Sequence, residues 1–453
     1  MKKTLILFKI IFRFIFKIFY KEPHITEFPL GKNIIGRDLP FLGNSNKEGF
    51  FTRLYNEPVK NWEWLNSFYL KDILHSFKTE ILWGKVTNNF NLVSDNEYVI
   101  PLTTIEKNKK KILQIEIENK KYNILIPSDR FYYLSVGKNQ KLDIKSKSNF
   151  IVGNIIKKKQ TFKNKKLALI VFVDGLIDLG NYKLGNMNEI MENTYNFFKN
   201  GVIFKNHFSN ETWSLPSAAT FFSGKYSQGH GFFHSDKKKI LGKNYPILSE
   251  IFQKNDYFSY QINGSWRMNP SYGFCKGFDR TIYKRAMDCS EVLNEFYDTN
   301  KSFLDRSQFS WLTFFDTHNP NLISDINSQI NLSPGMLSID QQSKKKIKSV
   351  MFKYDKDQIN NYIETLKRID FYLGKLFNYI LNNYDSKDYI ISLVSDHGQS
   401  FVDGEDYLLK KARTHIPWMI TGGDISAGEG NELTENVDIF QTLIDKCNLK
   451  TEN

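Results

Sequence analysis

Cysteine is scarce in this sequence, and none of it is spaced as a metal site or a redox pair. Cys275, Cys289 and Cys447 are the three cysteines in 453 residues, and no CxxC motif occurs. An odd, scattered set argues against a disulfide framework and a structural zinc site, and it favours a reducing compartment. The chain also lacks an internal repeat, a low-complexity tract and a nucleic-acid-binding motif, so we expect no nucleic-acid partner.

An uninterrupted apolar run of about 20 residues, long enough to span a bilayer, is also missing. The nearest candidate, MKKTLILFKIIFRFIFKIFYK, is interrupted by Lys9, Arg13 and Lys17, which would form one basic stripe on a helix. That pattern is typical of a helix in the membrane interface, so residues 1–21 are predicted to be a basic amphipathic anchor. A signal peptide is one alternative, although no small-residue cleavage site follows the run, and a helix packed on the protein's own body is the other. Together these features favour a cytoplasmic or peripheral inner-membrane location.

The composition is that of a folded protein with a basic surface. Hydrophobic residues make up 41% and charged residues 25% of the chain, and the net charge of +13 lies in short lysine clusters typical of solvated loops. Residues 22–160 contain one helical pattern and alternating strands such as KILQIEIENKKYNILIP. We therefore expect an N-terminal helical and β-rich accessory region, joined by a lysine-rich linker to a domain over residues 165–450.

Strands and helices alternate within residues 165–450. LALIVFV, SWLTFF and YIISLV are nearly continuous apolar runs, as in strands covered on both faces, whereas DQINNYIETLKRIDFYLGKLFNYILNNY has the spacing of a long amphipathic helix. Alternation of this kind predicts an α/β fold, with a mostly parallel sheet sandwiched by helices.

Acidic residues follow closely behind each of these three strands. Asp174 follows the first, Asp316 the second, and Asp396 with His397 the third. Because the carboxyl ends of parallel strands share one edge of a sheet, Asp174, Asp396 and His397 can meet there. A single acid at a strand end is more often a turn or cap residue, but this coincidence favours a divalent metal site that relieves carboxylate repulsion.

A candidate nucleophile lies in NHFSNETWSLPSAATFFSGKYSQGHG, residues 206–231. Pro216 is expected to open a short helix, with Ser214 just before it at the positive end, where an alkoxide is favoured. A bound metal could activate the hydroxyl. A plain N-cap is the commoner role for such a serine, and Thr212 is an alternative nucleophile; composition leaves these readings open.

These motifs together resemble the alkaline phosphatase superfamily, in particular its sulfatase-like branch of sulfatases and phosphoethanolamine or phosphoglycerol transferases. The resemblance extends over about residues 165–450, in family order, through IVFVDG, WSLPSAATFFSGKYSQGHG, CKGFDR, DTHNP, SDHGQSFVDGEDYLL, RTHIPWMI and ENVDIFQTLID. It implies that Ser214 rather than Thr212 is the nucleophile. It also implies that Asp174, Asp396, His397 and Ser214 hold one divalent ion: calcium, zinc or manganese.

Further roles follow from the proposed chemistry, with plain surface cations as the alternative for Lys225 and Arg267, and the sequence departs from the family pattern in three places. GSWRMN stands where the family has Gly-Lys-x-His, which leaves Arg267 as the cation there. His318 and His415 would protonate the leaving group or activate the acceptor, and three residues would serve a second metal or clamp an anionic ester: Asp316, Lys225 and Arg267. Gly175 stands where sulfatases commonly have a second Asp, and Ala218 stands where formylglycine formation needs Arg. A formylglycine cofactor is therefore not expected.

The function expected from this resemblance is cleavage or transfer of a sulfate or phosphate ester through a serine. The substrate would be an anionic ester of a carbohydrate or a lipid headgroup, with peripheral membrane contact as a further expectation. A phosphoethanolamine- or phosphoglycerol-type transferase is one alternative. A catalytically degenerate glycan-binding or scaffold protein is the other.

Overall fold

The computed structural model describes most of residues 48–451. The described ranges are 48–54, 78–104, 111–126, 130–158, 165–182, 184–234, 240–318, 354–403 and 409–451. The predicted amphipathic anchor and the helical pattern at residues 56–77 lie outside them, as does most of the lysine-rich linker. No helix within the described ranges is long and apolar enough to cross a membrane.

The strands of the described residues join into one sheet of sixteen strands. Its order runs β16-β10-β15-β14-β9-β13-β11-β12-β2-β7-β3-β6, with β1 on β2, β8 on β3, and a β4–β5 hairpin on β7. The strands are β1 (Glu48–Leu54), β2 (Thr79–Val93), β3 (Tyr98–Thr104), β4 (Lys111–Ile117), β5 (Lys120–Ile126), β6 (Tyr132–Val136), β7 (Lys141–Gly153), β8 (Ile156–Lys157), β9 (Leu167–Val173), β10 (Val202–Phe208), β11 (Phe258–Asn263), β12 (Arg280–Tyr283), β13 (Gln308–Phe314), β14 (Tyr389–Val394), β15 (Trp418–Gly422) and β16 (Gly428–Glu435).

Helices accompany the second half of the chain. They are α1 (Met187–Ile190), α2 (Glu192–Phe198), α3 (Ser214–Ser223), α4 (Ser227–His230), α5 (Leu248–Lys254), α6 (Cys289–Ser302), α7 (Lys356–Asn383), α8 (Lys411–Thr414) and α9 (Asn436–Lys446). Short 3-10 turns occur at Leu179–Tyr182, Pro270–Tyr272, Asp316–His318, Ser386–Asp388 and Ser400–Val402.

The prediction of a mostly parallel sheet between helices is confirmed. Strands β14, β9, β13, β11 and β12 are mutually parallel neighbours. Antiparallel pairing appears beyond them, where β15 joins β14 and where β2 joins β12. The parallel block is the part of the sheet whose carboxyl ends converge on one edge.

Strand β9 is a continuous apolar run because both of its faces are buried. Its alternate residues face opposite ways: Leu167, Leu169, Val171 and Val173 pack into one core cluster, and Ala168, Ile170 and Phe172 into another. The apolar seam of α7 joins the first cluster, and the buried face of α3 joins the second. Because burial stabilises each large apolar side chain by about 1.5–3 kcal/mol, this two-sided packing fixes the strand firmly.

The N-terminal strands continue the same sheet. Ile81 of β2 pairs with Thr281 of β12, and the buried Glu80 carboxylate accepts a 2.7 Å hydrogen bond from Arg280 Nε beside this junction. The described part of residues 22–160 is therefore joined to the α/β layers by backbone pairing and a buried ion pair. A domain boundary near residue 160 stays a prediction.

One local expectation is wrong. Helix α3 begins at Ser214 itself, with Trp213 in the N-cap position, so Ser214 does not precede the helix and does not cap it. Its hydroxyl is therefore not engaged in capping the first turn. The backbone turns it instead toward the strand ends described below.

Candidate active site

The predicted metal ligands come together at the carboxyl edge of the sheet. Asp174 directly follows β9, and Asp396 and His397 follow the parallel neighbour β14. One ligand atom from each of these residues lies within 4.8 Å of the others, and all three side chains are buried. This edge therefore presents two carboxylates and one imidazole to a single point.

Ser214 lies at the same point, although it is distant in sequence from β14. Its Oγ is 3.2 Å from Oδ2 of Asp174 and 3.3 Å from Nε2 of His397. Thr212 is held differently, because its backbone carbonyl accepts hydrogen bonds from Arg413. Of the two candidate nucleophiles, Ser214 is the one whose hydroxyl contacts the cluster.

The donor atoms fit a divalent cation. His397 Nδ1 lies 2.9 Å from the carbonyl of Gly398, which assigns the proton to Nδ1 and leaves a lone pair on Nε2. That nitrogen is 3.2 Å from Oδ2 of Asp396, which receives no hydrogen bond from the described residues. Two buried lone-pair donors facing one another need either a proton or a metal ion between them, and a set of carboxylate, hydroxyl and imidazole donors suits zinc, manganese or calcium.

Electrostatics of the metal-free protein agree with this reading. Burial, and then the nearby Asp174 carboxylate, raises the pKa of Asp396 to about 8. Burial would also raise the pKa of Asp174, but the charge and hydrogen bond of His318, together with His397 and the Ser214 hydrogen bond, outweigh it and lower that pKa. Burial, followed by the positive charge of Arg413, lowers the pKa of His397 to about 3. The imidazole is thus neutral, as a metal ligand must be.

Two glycines permit the turns that carry these ligands. Gly175 has φ +64°, in the left-handed region, and the Gln399 amide fills the space beside its Cα. A Cβ on Gly398 would overlap the carbonyl oxygen of Ala412 and lie 2.8 Å from Cγ2 of Ile177. The position after Asp174 is therefore a tight turn, over which Gln399 is packed.

Sequence reasoning missed the side chains that tether these turns. Tyr362 of α7 donates to the carbonyl of Gly175 at 2.9 Å and accepts from the amide of Ile177. Ser395 Oγ accepts from the amide of Leu176, which joins the β9 and β14 turns. Tyr362 could not be distinguished in sequence from the apolar seam of its helix, because its ring is part of the core.

His318 and Arg267 form one wall of the site. His318 Nδ1 is 3.2 Å from Oδ1 of Asp174, and its ring packs edge-on against Trp266 at 4.6 Å between centroids. The guanidinium of Arg267 lies 5.2 Å from the ring centre of Trp213, the residue before Ser214. A partly exposed imidazole and a cation on an aromatic ring therefore flank the buried cluster.

Three other predicted residues have different surroundings. Asp316 pairs with Arg368 and accepts from the amide of Cys289 at 3.2 Å, so its charge is already offset at the start of α6. Lys225 is exposed, with its ammonium 5.5 Å from the ring centre of Tyr245. His415 stacks on Phe208, with Nε2 at 2.9 Å from the carbonyl of Lys205 and 3.6 Å from Asp178. Roles for these three in catalysis stay predictions.

Comparison with known proteins gives a clear family match. The model of the sulfatase family matches residues 166–448, which is more than half of the chain. No curated protein sequence matches. Similar solved structures each align with 64% of this chain: a 2-O GAG sulfatase (15% identity, 72% of that chain, TM-score 0.46), the phosphonate monoester hydrolase of Silicibacter pomeroyi (13%, 74%, 0.47) and lipoteichoic acid synthase of Listeria monocytogenes (13%, 74%, 0.46).

Proposed function

Because the chain belongs to the sulfatase family, we propose that it is a metal-dependent esterase that cleaves or transfers a sulfate or phosphate ester through Ser214. The observation that carries this proposal is the position of Ser214 Oγ, 3.2 Å from Asp174 and 3.3 Å from His397. Members of this superfamily are hydrolases or transferases. The choice of Ser214 as nucleophile, and the ester that it attacks, are the parts proposed for this chain.

Asp174, Asp396, His397 and Ser214 would hold one divalent cation. When bound, the cation supplies Lewis-acid chemistry that lowers the pKa of the serine hydroxyl and offsets negative charge on the ester. The chain's own residues hold the hydroxyl in place: α3 fixes the backbone of Ser214, and its partly positive N-terminus favours an alkoxide there.

The chemistry then has two displacements. Ser214 gives its proton to solvent and its Oγ attacks phosphorus or sulfur, so that a covalent serine ester forms and the bond to the leaving-group oxygen breaks. That oxygen takes a proton from His318, whose ring is oriented through Nδ1 by Asp174. In the second step the now neutral His318 takes the proton of a water or an acceptor hydroxyl, whose oxygen attacks the serine ester, and Ser214 Oγ leaves as the alkoxide with which the cycle began.

The wall of the site favours an anionic ester joined to a ring-bearing group. Arg267 beside Trp213 can bind a charged oxygen, and the partly exposed rings of Trp213 and Trp266, each with an arginine over one face, can contact a sugar with the remaining ring surface. We therefore propose a carbohydrate or lipid-headgroup ester as the substrate. Peripheral membrane contact through residues 1–21 is part of the same proposal.

Turnover of chromogenic aryl sulfate, phosphomonoester and phosphodiester substrates, each with and without a chelator, tests this function. We expect at least one substrate to be hydrolysed, the chelator to abolish turnover, and Ser214→Ala to lower kcat at least a thousandfold. Ser223→Ala is the matched control, because Ser223 is a buried serine at the far end of the same helix, and its hydroxyl donates to the carbonyl of Ala219 within that helix. It should retain turnover.

The intact mass of the peptide that contains Ser214 separates the alternatives. A phosphorylated or sulfated serine after brief reaction supports the covalent step, and formylglycine at this position would contradict it. Product transfer to added sugar or glycerol, in excess of hydrolysis, would identify a transferase. Absence of turnover together with absence of bound metal would leave the scaffold alternative.

A further inference from the structure

Arg413 is a buried arginine whose surroundings are unusual. It is only 1% exposed, yet within the described part of the chain its guanidinium donates to two backbone carbonyls and to no carboxylate. Nε lies 3.1 Å from the carbonyl oxygen of Thr212, which Nη2 also contacts, and Nη1 lies 2.7 Å from the carbonyl oxygen of Gly398. A buried cation held in this way needs a reason, because desolvating it is costly.

The two carbonyls belong to the two segments that must meet at the site. Thr212 stands two residues before Ser214 on the segment that enters α3, and Gly398 follows His397 directly on the turn after β14. The carbonyl of Gly398 also lies 2.9 Å from Nδ1 of His397. One planar fork of donors therefore spans the nucleophile segment and the histidine turn, and it shares an acceptor with the imidazole itself.

Other contacts between these segments act at a different place. The hydroxyls of Ser209 and Ser217 both donate to the carbonyl of Asp396, two residues before Gly398. Those bonds fix where the segments touch, but the angle between them can still change. A second attachment through Arg413 removes that freedom, because two separate points of contact define an orientation as well as a position.

We propose that Arg413 is a positioning residue that sets the placement of Ser214 Oγ relative to His397 and the two carboxylates. The inference rests on the proposed function only in its choice of site, since the geometry concerns the metal ligands themselves. The guanidinium fork, and not merely a positive charge, is the feature that acts.

The substitution Arg413→Lys separates these two features, because it keeps a cation but loses the fork. We would measure Mn²⁺ affinity by calorimetry for wild type, R413K, S214A and the double variant. If Arg413 acts by placing Ser214, R413K should raise the Kd for Mn²⁺ at least tenfold when Ser214 is present. In the S214A background, the factor by which R413K raises this Kd should be at least five times smaller. Equal effects in both backgrounds, or no effect in either, would overturn the proposal.

Arg280→Lys is the matched control, because Arg280 is also a buried arginine but pairs with Glu80 at the β2–β12 junction. It should lower stability without changing Mn²⁺ affinity. If R413K fails to fold, Arg413→Gln replaces it in the same comparison of four proteins.

Kinetics give an independent readout: where a chromogenic ester is turned over, R413K should lower kcat at least tenfold and change KM less than threefold. If no ester is turned over, the proposed function fails but the Mn²⁺ comparison still decides the role of Arg413.

Discussion

Replacing Gly398 by alanine should disable the site through a single methyl group. The new Cβ would overlap the carbonyl oxygen of Ala412 and lie 2.8 Å from Cγ2 of Ile177 and 3.0 Å from the carbonyl carbon of Ala412. Backbone and core atoms cannot swing aside as a flexible side chain can. The turn must therefore move by roughly an ångström, at a cost of about 1–3 kcal/mol for overpacking.

That movement is transmitted directly to the ligands. The amide of Gly398 donates to the carbonyl of Arg413 at 2.8 Å. The carbonyl of Gly398 accepts a hydrogen bond from the Arg413 guanidinium and lies 2.9 Å from Nδ1 of His397. Displacing the peptide thus rotates the imidazole away from Asp396 and Ser214. Since a 1 Å misplacement can cost about a hundredfold in rate, we expect Gly398→Ala to lose about two orders of magnitude in turnover and in Mn²⁺ affinity.

The assay compares Gly398→Ala with Gly428→Ala, a glycine with nothing within 4 Å of its added Cβ. Both variants would be examined by thermal unfolding, Mn²⁺ calorimetry and turnover of a chromogenic ester. The control should bind and react like wild type, with stability unchanged or higher by about 0.4–1 kcal/mol. If Gly398→Ala also behaved like wild type in metal binding, the close approach to Ala412 would not constrain the site and the reasoning would be refuted.

Three further predictions concern charge. Asp396→Asn should raise the thermal stability of the chelator-treated protein by about 1–3 kcal/mol, because it removes a buried carboxylate whose Oδ2 lacks a donor, and it should abolish Mn²⁺ binding; a destabilised apoprotein would contradict this. Saturating Mn²⁺ at about 100 times Kd should stabilise wild type by about 2.7 kcal/mol, or roughly 3 °C in Tm for a chain of this length, but not Asp396→Asn. Burial between Thr434 and Asn436 lowers the pKa of His207 in the folded protein to about 3, so the unfolded chain binds the extra proton and stability falls as pH drops from about 6.5 towards 3. The free energy of unfolding, measured with urea at several pH values, should change less steeply with pH in His207→Gln, by up to about 1.4 kcal/mol per pH unit. An unchanged pH dependence would exclude His207 as its source.

Much of the candidate site could be anticipated because it follows from topology. Asp174, Asp396 and His397 each stand at the end of a buried strand, and parallel neighbours bring such ends to one edge whatever the details of packing. Ser214 could be named only as one of two hydroxyls, until the resemblance preferred it over Thr212. Its contact with Asp174 and His397 depends on where α3 begins, which the position of Pro216 suggested only to within two residues.

The weaker predictions show where sequence reasoning stops. Asp316 stands at a strand end just as Asp174 does, but Arg368 from the distant α7 reaches it and offsets its charge. Lys225 lies in a matching motif yet projects over Tyr245 at the surface. Nothing in the local sequence distinguishes a strand-end acid that binds a structural arginine from one that faces a second carboxylate, because the partner comes from elsewhere in the chain.

By itself the sequence determined the layered α/β fold, the edge on which the acids gather and the family, because strand periodicity and motif order are local properties of the chain. The tertiary structure alone decided that Arg413, Tyr362 and Ser395 hold the turns, that Gln399 covers Gly175, and that the Ser214 hydroxyl lies 3.2 Å from Asp174 and 3.3 Å from His397. Those contacts join residues far apart in the chain, and whether two such side chains meet depends on ångström-scale packing that no local pattern encodes.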